Sequence, residues 1–141
     1  MAEELGKKIV SEYNELLRSP EMSVRENIPT SWGVYVIIEH SHVLYVGSAV
    51  DLDRRLKHDL LGTMRQTKQT HTFGRKLVKK FGDKEKARNY LRQDCRLRIK
   101  VTENLQEARL LEQFAIPFLS PSTTLDNVKI RRNGSPVLRA S

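Results

Sequence analysis

The 141-residue chain has a single cysteine, Cys95, so no internal disulfide can form, and a cysteine-rich zinc module is excluded. A reducing compartment follows, with the cytoplasm as the expected location. No apolar run approaches about 18 residues, so no membrane-spanning helix is expected. The opening Met1-Ala2-Glu3-Glu4 lacks the basic and then apolar start of a secretory signal. There are no internal repeats, and 141 residues leave room for one domain with a modest core.

What the chain has in excess is positive charge. The formal net charge is +8 and the pI is near 9.8, a balance that suits an anionic partner. Nucleic acid is the commonest such partner, but charge alone does not choose it, because many basic proteins bind none.

Two segments then attract attention. Gly33-Val34-Tyr35 and Tyr45-Val46-Gly47 are separated by nine residues. From Tyr35 to Ile38 and from Val43 to Val46 the residues are β-branched, aromatic or leucine, and Glu39-His40-Ser41-His42 between them is polar. This predicts a β-hairpin. Both strands are apolar at nearly every position, which predicts a central sheet covered on both faces, with the two tyrosines as its only polar handles. Gly33 and Gly47 would let backbone or ligand approach beside each ring.

Elsewhere the pattern is mostly helical. Ile9, Tyr13, Leu16 and Leu17 predict an amphipathic helix over Glu3 to Arg18, followed by a connection from Pro20 to Thr30. After the hairpin, Ser48 with Asp51 reads as a capping box, and Ala49, Leu52, Leu56 and Leu60 line one face of the next helix. A polar loop is expected over Leu61 to Thr70, a short basic helix over Thr72 to Phe81 ended by Gly82, and a further helix over Lys84 to Arg92. Arg96 to Val101 alternates and reads as a third strand. Asn104 with Glu107 caps a last helix running to about Phe118, with Pro121 beyond it.

In that last helix Leu105, Ala108, Leu111, Phe114, Ala115, Ile116 and Phe118 fill an apolar arc, and Glu112 falls inside it. A carboxylate buried without a partner costs several kcal/mol, so a cation is expected opposite Glu112, either Arg55 or a divalent metal. Glu107 needs no such partner, since its first-turn position gives it a capping role.

The pair Gly-Val-Tyr and Tyr-Val-Gly, Arg55 eight residues after Gly47, the helix reading Glu-Ala-Arg-Leu-Leu-Glu, then Pro121 and Asn127, together resemble the GIY-YIG nuclease superfamily. The resemblance spans Trp32 to Val128. It implies an α/β (α+β) domain with a small three-stranded antiparallel sheet flanked by helices, which hydrolyses DNA with one divalent metal. On that basis residues 1–30 form an N-terminal helix and connection, 31–128 the nuclease-like domain, and 129–141 a basic tail. By position the resemblance gives Tyr35 and Tyr45 as the signature tyrosines, Arg55 as the phosphate-holding arginine, Glu112 as the metal-binding glutamate and Asn127 as the late asparagine. His71 is similar to a histidine of some phage homing nucleases in the family. Two departures stand out: Asp59 occupies a place where many members have histidine or tyrosine, with His58 one position early, and the stretch from Pro121 to Asn127 is long.

Phosphodiester hydrolysis requires a deprotonated water, counter-charge for the transition state and help for the leaving oxygen. The expected assignment is a metal-dependent DNA endonuclease leaving 5′-phosphate and 3′-hydroxyl ends. In it Mg²⁺ or Mn²⁺ sits on Glu112, Arg55 grips phosphate, Tyr35 is the base and Tyr45 orients or relays; His58 and His71 are further catalytic candidates. Lys57, Arg75, Lys76 and Asn127 are the expected DNA contacts, on double-stranded or branched DNA, for a monomer or transient homodimer. The alternative is a nucleic-acid-binding domain that keeps the fold without cutting. Singly, each residue also has a structural reading: core tyrosines, an Arg55–Asp59 helix pair, or Glu112 as partner of Arg55.

Overall fold

Every residue of Gly33–Glu39 is buried, and this strand, β1, forms the centre of the molecule. The structure is a computed structural model describing residues 2–60, 71–121, 128–130 and 136–138. β1 is flanked by β2 (His42–Ala49) and β3 (Arg96–Val101) in an antiparallel sheet of order β2-β1-β3. Because side chains alternate along a strand, β1 feeds two cores. Tyr35 and Ile37 join Leu52, Leu56, Leu60, Phe73, Leu77 and Leu91 on one face. Val34, Val36 and Ile38 join Ile9, Leu16, Ala108, Leu111 and Ala115 on the other. The unbroken apolar character of β1 reflects this double covering, as the sequence implied.

The hairpin turn is shorter than the polar run suggested. Only His40 and Ser41 lie outside the strands, with φ of 47° and 69°, the left-handed pair that suits a tight two-residue hairpin. Glu39 belongs to β1, is wholly buried, and accepts a hydrogen bond from the Tyr90 hydroxyl at 2.5 Å. The two tyrosines are therefore not the only polar groups inside the sheet.

Ser48 is also corrected. It lies in β2, and the cap of the next helical segment is Asp51, whose Oδ1 accepts the Arg54 N–H at 3.1 Å. That segment is helical from Leu52 and takes the wide π-helical form over Arg54–Leu60. Its inner leucines, 52, 56 and 60, are spaced by four, which a wide turn keeps on one face.

The remaining elements follow the sequence closely. α1 covers Ala2–Arg18, α2 Thr72–Phe81 and α3 Lys84–Gln93, and Gly82 closes α2 at φ 69° with its N–H on the Val78 carbonyl. α4 covers Leu105–Leu119, with Asn104 accepting the Glu107 N–H at 2.9 Å. Its apolar arc is narrower than expected, since Ile116 and Phe118 are exposed, and Ser120 rather than Pro121 makes the closing left-handed turn. α1, read from sequence as an extension, contributes Ile9 and Leu16 to the second core. Lys8 ties it to Glu107 of α4, and Glu15 meets Lys100 of β3 at 2.6 Å. The connection after it pairs Met22 with Leu97 through two backbone bonds of 2.9 and 2.7 Å. Val128–Ile130 (β4) and Pro136–Leu138 (β5) pair antiparallel within the stretch expected as a basic tail. No described helix is long and apolar enough to cross a membrane.

Candidate active site

Tyr35 and Tyr45 come from adjacent strands on one face of the sheet. Tyr35 is opposite Gly47 and Ile37 opposite Tyr45, so the two rings are diagonal neighbours, stacked with centroids 6.1 Å apart. Gly47 makes this possible. A Cβ there would press into the Tyr35 ring and hydroxyl and come within 2.9 Å of Tyr45 Cε1. Gly33 serves a different neighbour than expected, admitting Leu52 and the Lys100 carbonyl rather than a tyrosine. Gly47→Ala is expected to lower stability by about 1–3 kcal/mol through overpacking, read as an earlier urea midpoint with a changed tyrosine near-ultraviolet signal.

Tyr35 is buried and its hydroxyl is 2.5 Å from His71 Nε2. The other ring nitrogen, Nδ1, accepts the Phe73 N–H at 3.1 Å and caps α2. Burial, and then the nearby Arg55 charge, lower the His71 pKa to about 3, so the ring is neutral at ordinary pH. With Nδ1 accepting, the single hydrogen resides on Nε2, and His71 donates to the Tyr35 oxygen. Desolvation raises the pKa of both phenols, and Arg55 opposes it in both.

Arg55, in the first turn of the π-helical segment, pairs with Asp59 at 3.4 Å, and its charge opposes the effect of burial on Tyr35. It is not the direct partner of Glu112. The partner is Ser48, whose hydroxyl lies 3.2 and 3.4 Å from the two Glu112 oxygens. As the arc predicted, Glu112 stands among buried Ala108, Leu111 and Ala115, half-buried itself, and desolvation raises its pKa. Its charge is felt at Tyr35 and Tyr45 and feels Arg55, so one electrostatic neighbourhood joins α4, the hairpin and the π-helical segment beside β2, an edge strand of the sheet.

Tyr35, Tyr45 and His71 thus touch on one face of the sheet with the Arg55 charge felt by all three, while Glu112 is held by Ser48 from the α4 side and is coupled to the phenols through its charge. His58 is exposed and joins none of their bonds; Lys57 pairs with Asp53 at 3.4 Å; Arg75 and Lys76 are exposed on α2. Asn127 lies outside the described residues. Ser48 is the residue that the sequence reading misassigned. Its signal was the continuation of β2 past Gly47, which puts position 48 on the face opposite the tyrosine rings, toward α4. Among the described residues no group of three or more His, Cys, Asp or Glu side chains is arranged around a metal position. The donor available is the lone Glu112 carboxylate, which suits Mg²⁺, an ion held by one or two carboxylates together with water and phosphate oxygens.

No protein-family model matches the chain, and no curated protein does. Among solved structures it is similar to the GIY-YIG N-terminal endonuclease domain of UvrC from Thermotoga maritima. The form bound to its catalytic divalent cation, magnesium, has a TM-score of 0.45 and 22% identity over 80% of this chain and 94% of that one. A tyrosine-to-phenylalanine variant of that domain gives 0.45 and 21% over 80% and 94%, and an asparagine-to-alanine variant 0.44 and 22% over 80% and 93%.

Proposed function

We propose that the chain is a metal-dependent DNA endonuclease. The observation that supports this reading is the grouping of a guanidinium, two phenols and a half-buried carboxylate from four elements around the edge strand β2, the carboxylate coupled to the phenols through its charge. The net charge of +8 supports an anionic substrate, double-stranded or branched DNA.

Arg55 grips the non-bridging oxygens of the scissile phosphate, and Asp59 braces it from one turn away. Glu112, oriented by Ser48, holds one Mg²⁺, with Mn²⁺ as a substitute. When bound, that ion supplies counter-charge to the phosphate and the departing 3′ oxygen. The sequence reading gave the base as Tyr35. Its complete burial favours Tyr45, the partly exposed ring of the pair, as the group that meets water. Tyr35, stacked on Tyr45 and hydrogen-bonded to His71, and His71, in ring contact with Tyr45, then act as positioning residues for the Tyr45 ring. The products are 5′-phosphate and 3′-hydroxyl ends, and Lys57, Arg75 and Lys76 contact flanking phosphates.

The purified protein is expected to nick supercoiled plasmid in Mg²⁺, to stop when EDTA removes the ion, and to resume when Mg²⁺ is restored. Binding of DNA without cutting of any duplex or branched substrate in Mg²⁺ or Mn²⁺ would replace this reading with that of a non-cleaving binding domain.

A further inference from the structure

The exposed face of α2 carries a charge pattern that the fold does not require. Its inner residues Phe73, Gly74, Leu77 and Phe81 are buried, and of its fully exposed residues all but Thr72 are cations: Arg75, Lys76, Lys79 and Lys80. The helix has no acidic residue, and none of the four cations forms an ion pair among the described residues. Arg75 over Lys79 and Lys76 over Lys80 are like charges one turn apart, an arrangement that weakens a helix. The helix dipole accounts for Lys79 and Lys80 near the C-terminus, but it does not favour Arg75 and Lys76 in the N-terminal half. The apolar face is buried in the core, so α2 has nothing to insert into a lipid surface.

We infer that α2 is a sequence-indifferent phosphate track, fixed in register with the site by His71, that holds the duplex flanking the cleaved bond. This rests on the nucleic-acid reading above. His71 is both the cap of α2 and the partner of Tyr35, so the first turn of the helix and the phenol pair form one rigid unit. From Arg75 to Lys80 the axis advances about 8 Å at about 1.5 Å per residue. Each strand of DNA presents one phosphate per about 3.4 Å of duplex axis, so a track lying along that axis faces two or three successive phosphates. Among the described residues the exposed face of α2 offers no amide or aromatic side chain beside these cations, so α2 is assigned backbone contacts that give affinity and register rather than sequence choice.

The test is the salt dependence of binding to a short fluorescent duplex, without metal. Arg75→Gln/Lys76→Gln/Lys79→Gln/Lys80→Gln is expected to flatten the slope of log Kd against log salt by about 2 to 3 units and to weaken binding by tenfold or more. Glutamine keeps helix propensity and removes the repulsion, so the melting temperature stays level or rises. The pair Lys79→Gln/Lys80→Gln should flatten the slope far more than Lys7→Gln/Arg18→Gln on α1, which removes equal charge from the opposite face of the sheet. An unchanged slope in the quadruple variant, or equal shifts in the two pairs, would overturn the track. If the slopes respond as expected but wild-type protein never cuts, the track stands and the hydrolase reading falls. Failure of wild-type protein to bind duplex overturns both.

Discussion

Glu112→Gln is expected to reduce Mg²⁺-dependent nicking by about 10³-fold or more while leaving duplex affinity, measured without metal, within about threefold of wild type. In the proposed mechanism the carboxylate is the metal donor, and its amide is nearly isosteric but lacks the charge. Ser48 can still hydrogen-bond the amide oxygen, so the fold is kept. The pH profile follows from the same group. Desolvation raises the Glu112 pKa above its ordinary 4.5, and the metal requires the deprotonated form. Activity should therefore fall on acidification through a midpoint above the usual carboxylate range, moving lower as Mg²⁺ is increased. Equal activity of Glu112→Gln and wild type would remove the metal role.

The second large effect concerns stability in acid. His71 titrates near 6.5 when unfolded and at about 3 when folded, so below pH 6.5 the unfolded chain takes up a proton that the native one refuses. The depressed folded value means this contribution is complete above pH 6.5 and is lost as pH falls toward 3. The slope is about 1.4 kcal/mol per pH unit, or about 5 kcal/mol across the window, a sizeable share of a typical folding free energy. His71→Asn keeps an acceptor for the Phe73 N–H and removes the titration. At pH 7 it should be less stable than wild type by about 1–3 kcal/mol, having lost the Tyr35 bond. On acidification the gap should close and then reverse, since both proteins share every other titrating group and the wild-type loss exceeds the initial difference. Parallel stability curves from pH 6.5 to 4, by urea denaturation, would show that His71 does not resist protonation.

The hairpin, the three strands and the four α-helices were legible because each is written in adjacent residues: an unbroken apolar run, an alternating basic run, a capping Asn104, a closing Gly82. Glu112 was legible for a related reason, since a charge inside an apolar arc is a local contradiction. Errors arose where partners are distant in sequence. Ser48 carries the chemistry of a helix cap, but strand pairing with Val34 keeps it extended and turns it toward α4. Glu39 carries the polarity of a turn, but Tyr90, fifty-one positions later, gives it a buried partner. The Arg55–Asp59 pair obeyed the helical spacing, whereas the expected Arg55–Glu112 pair assumed two elements whose relative orientation no local pattern encodes.

The broad coil of Arg54–Leu60 has a bearing on how the chain tolerates length changes. Buried Leu52, Leu56 and Leu60 are spaced by four along it, and Arg55 and Asp59 pair across the same interval on its partly exposed side. Loss of one residue would tighten the coil and let the leucines slip back into oil-filled seats with little complaint. The Arg55 guanidinium, however, would swing aside, so a shortened chain is expected to remain folded and to lose the proposed cleavage.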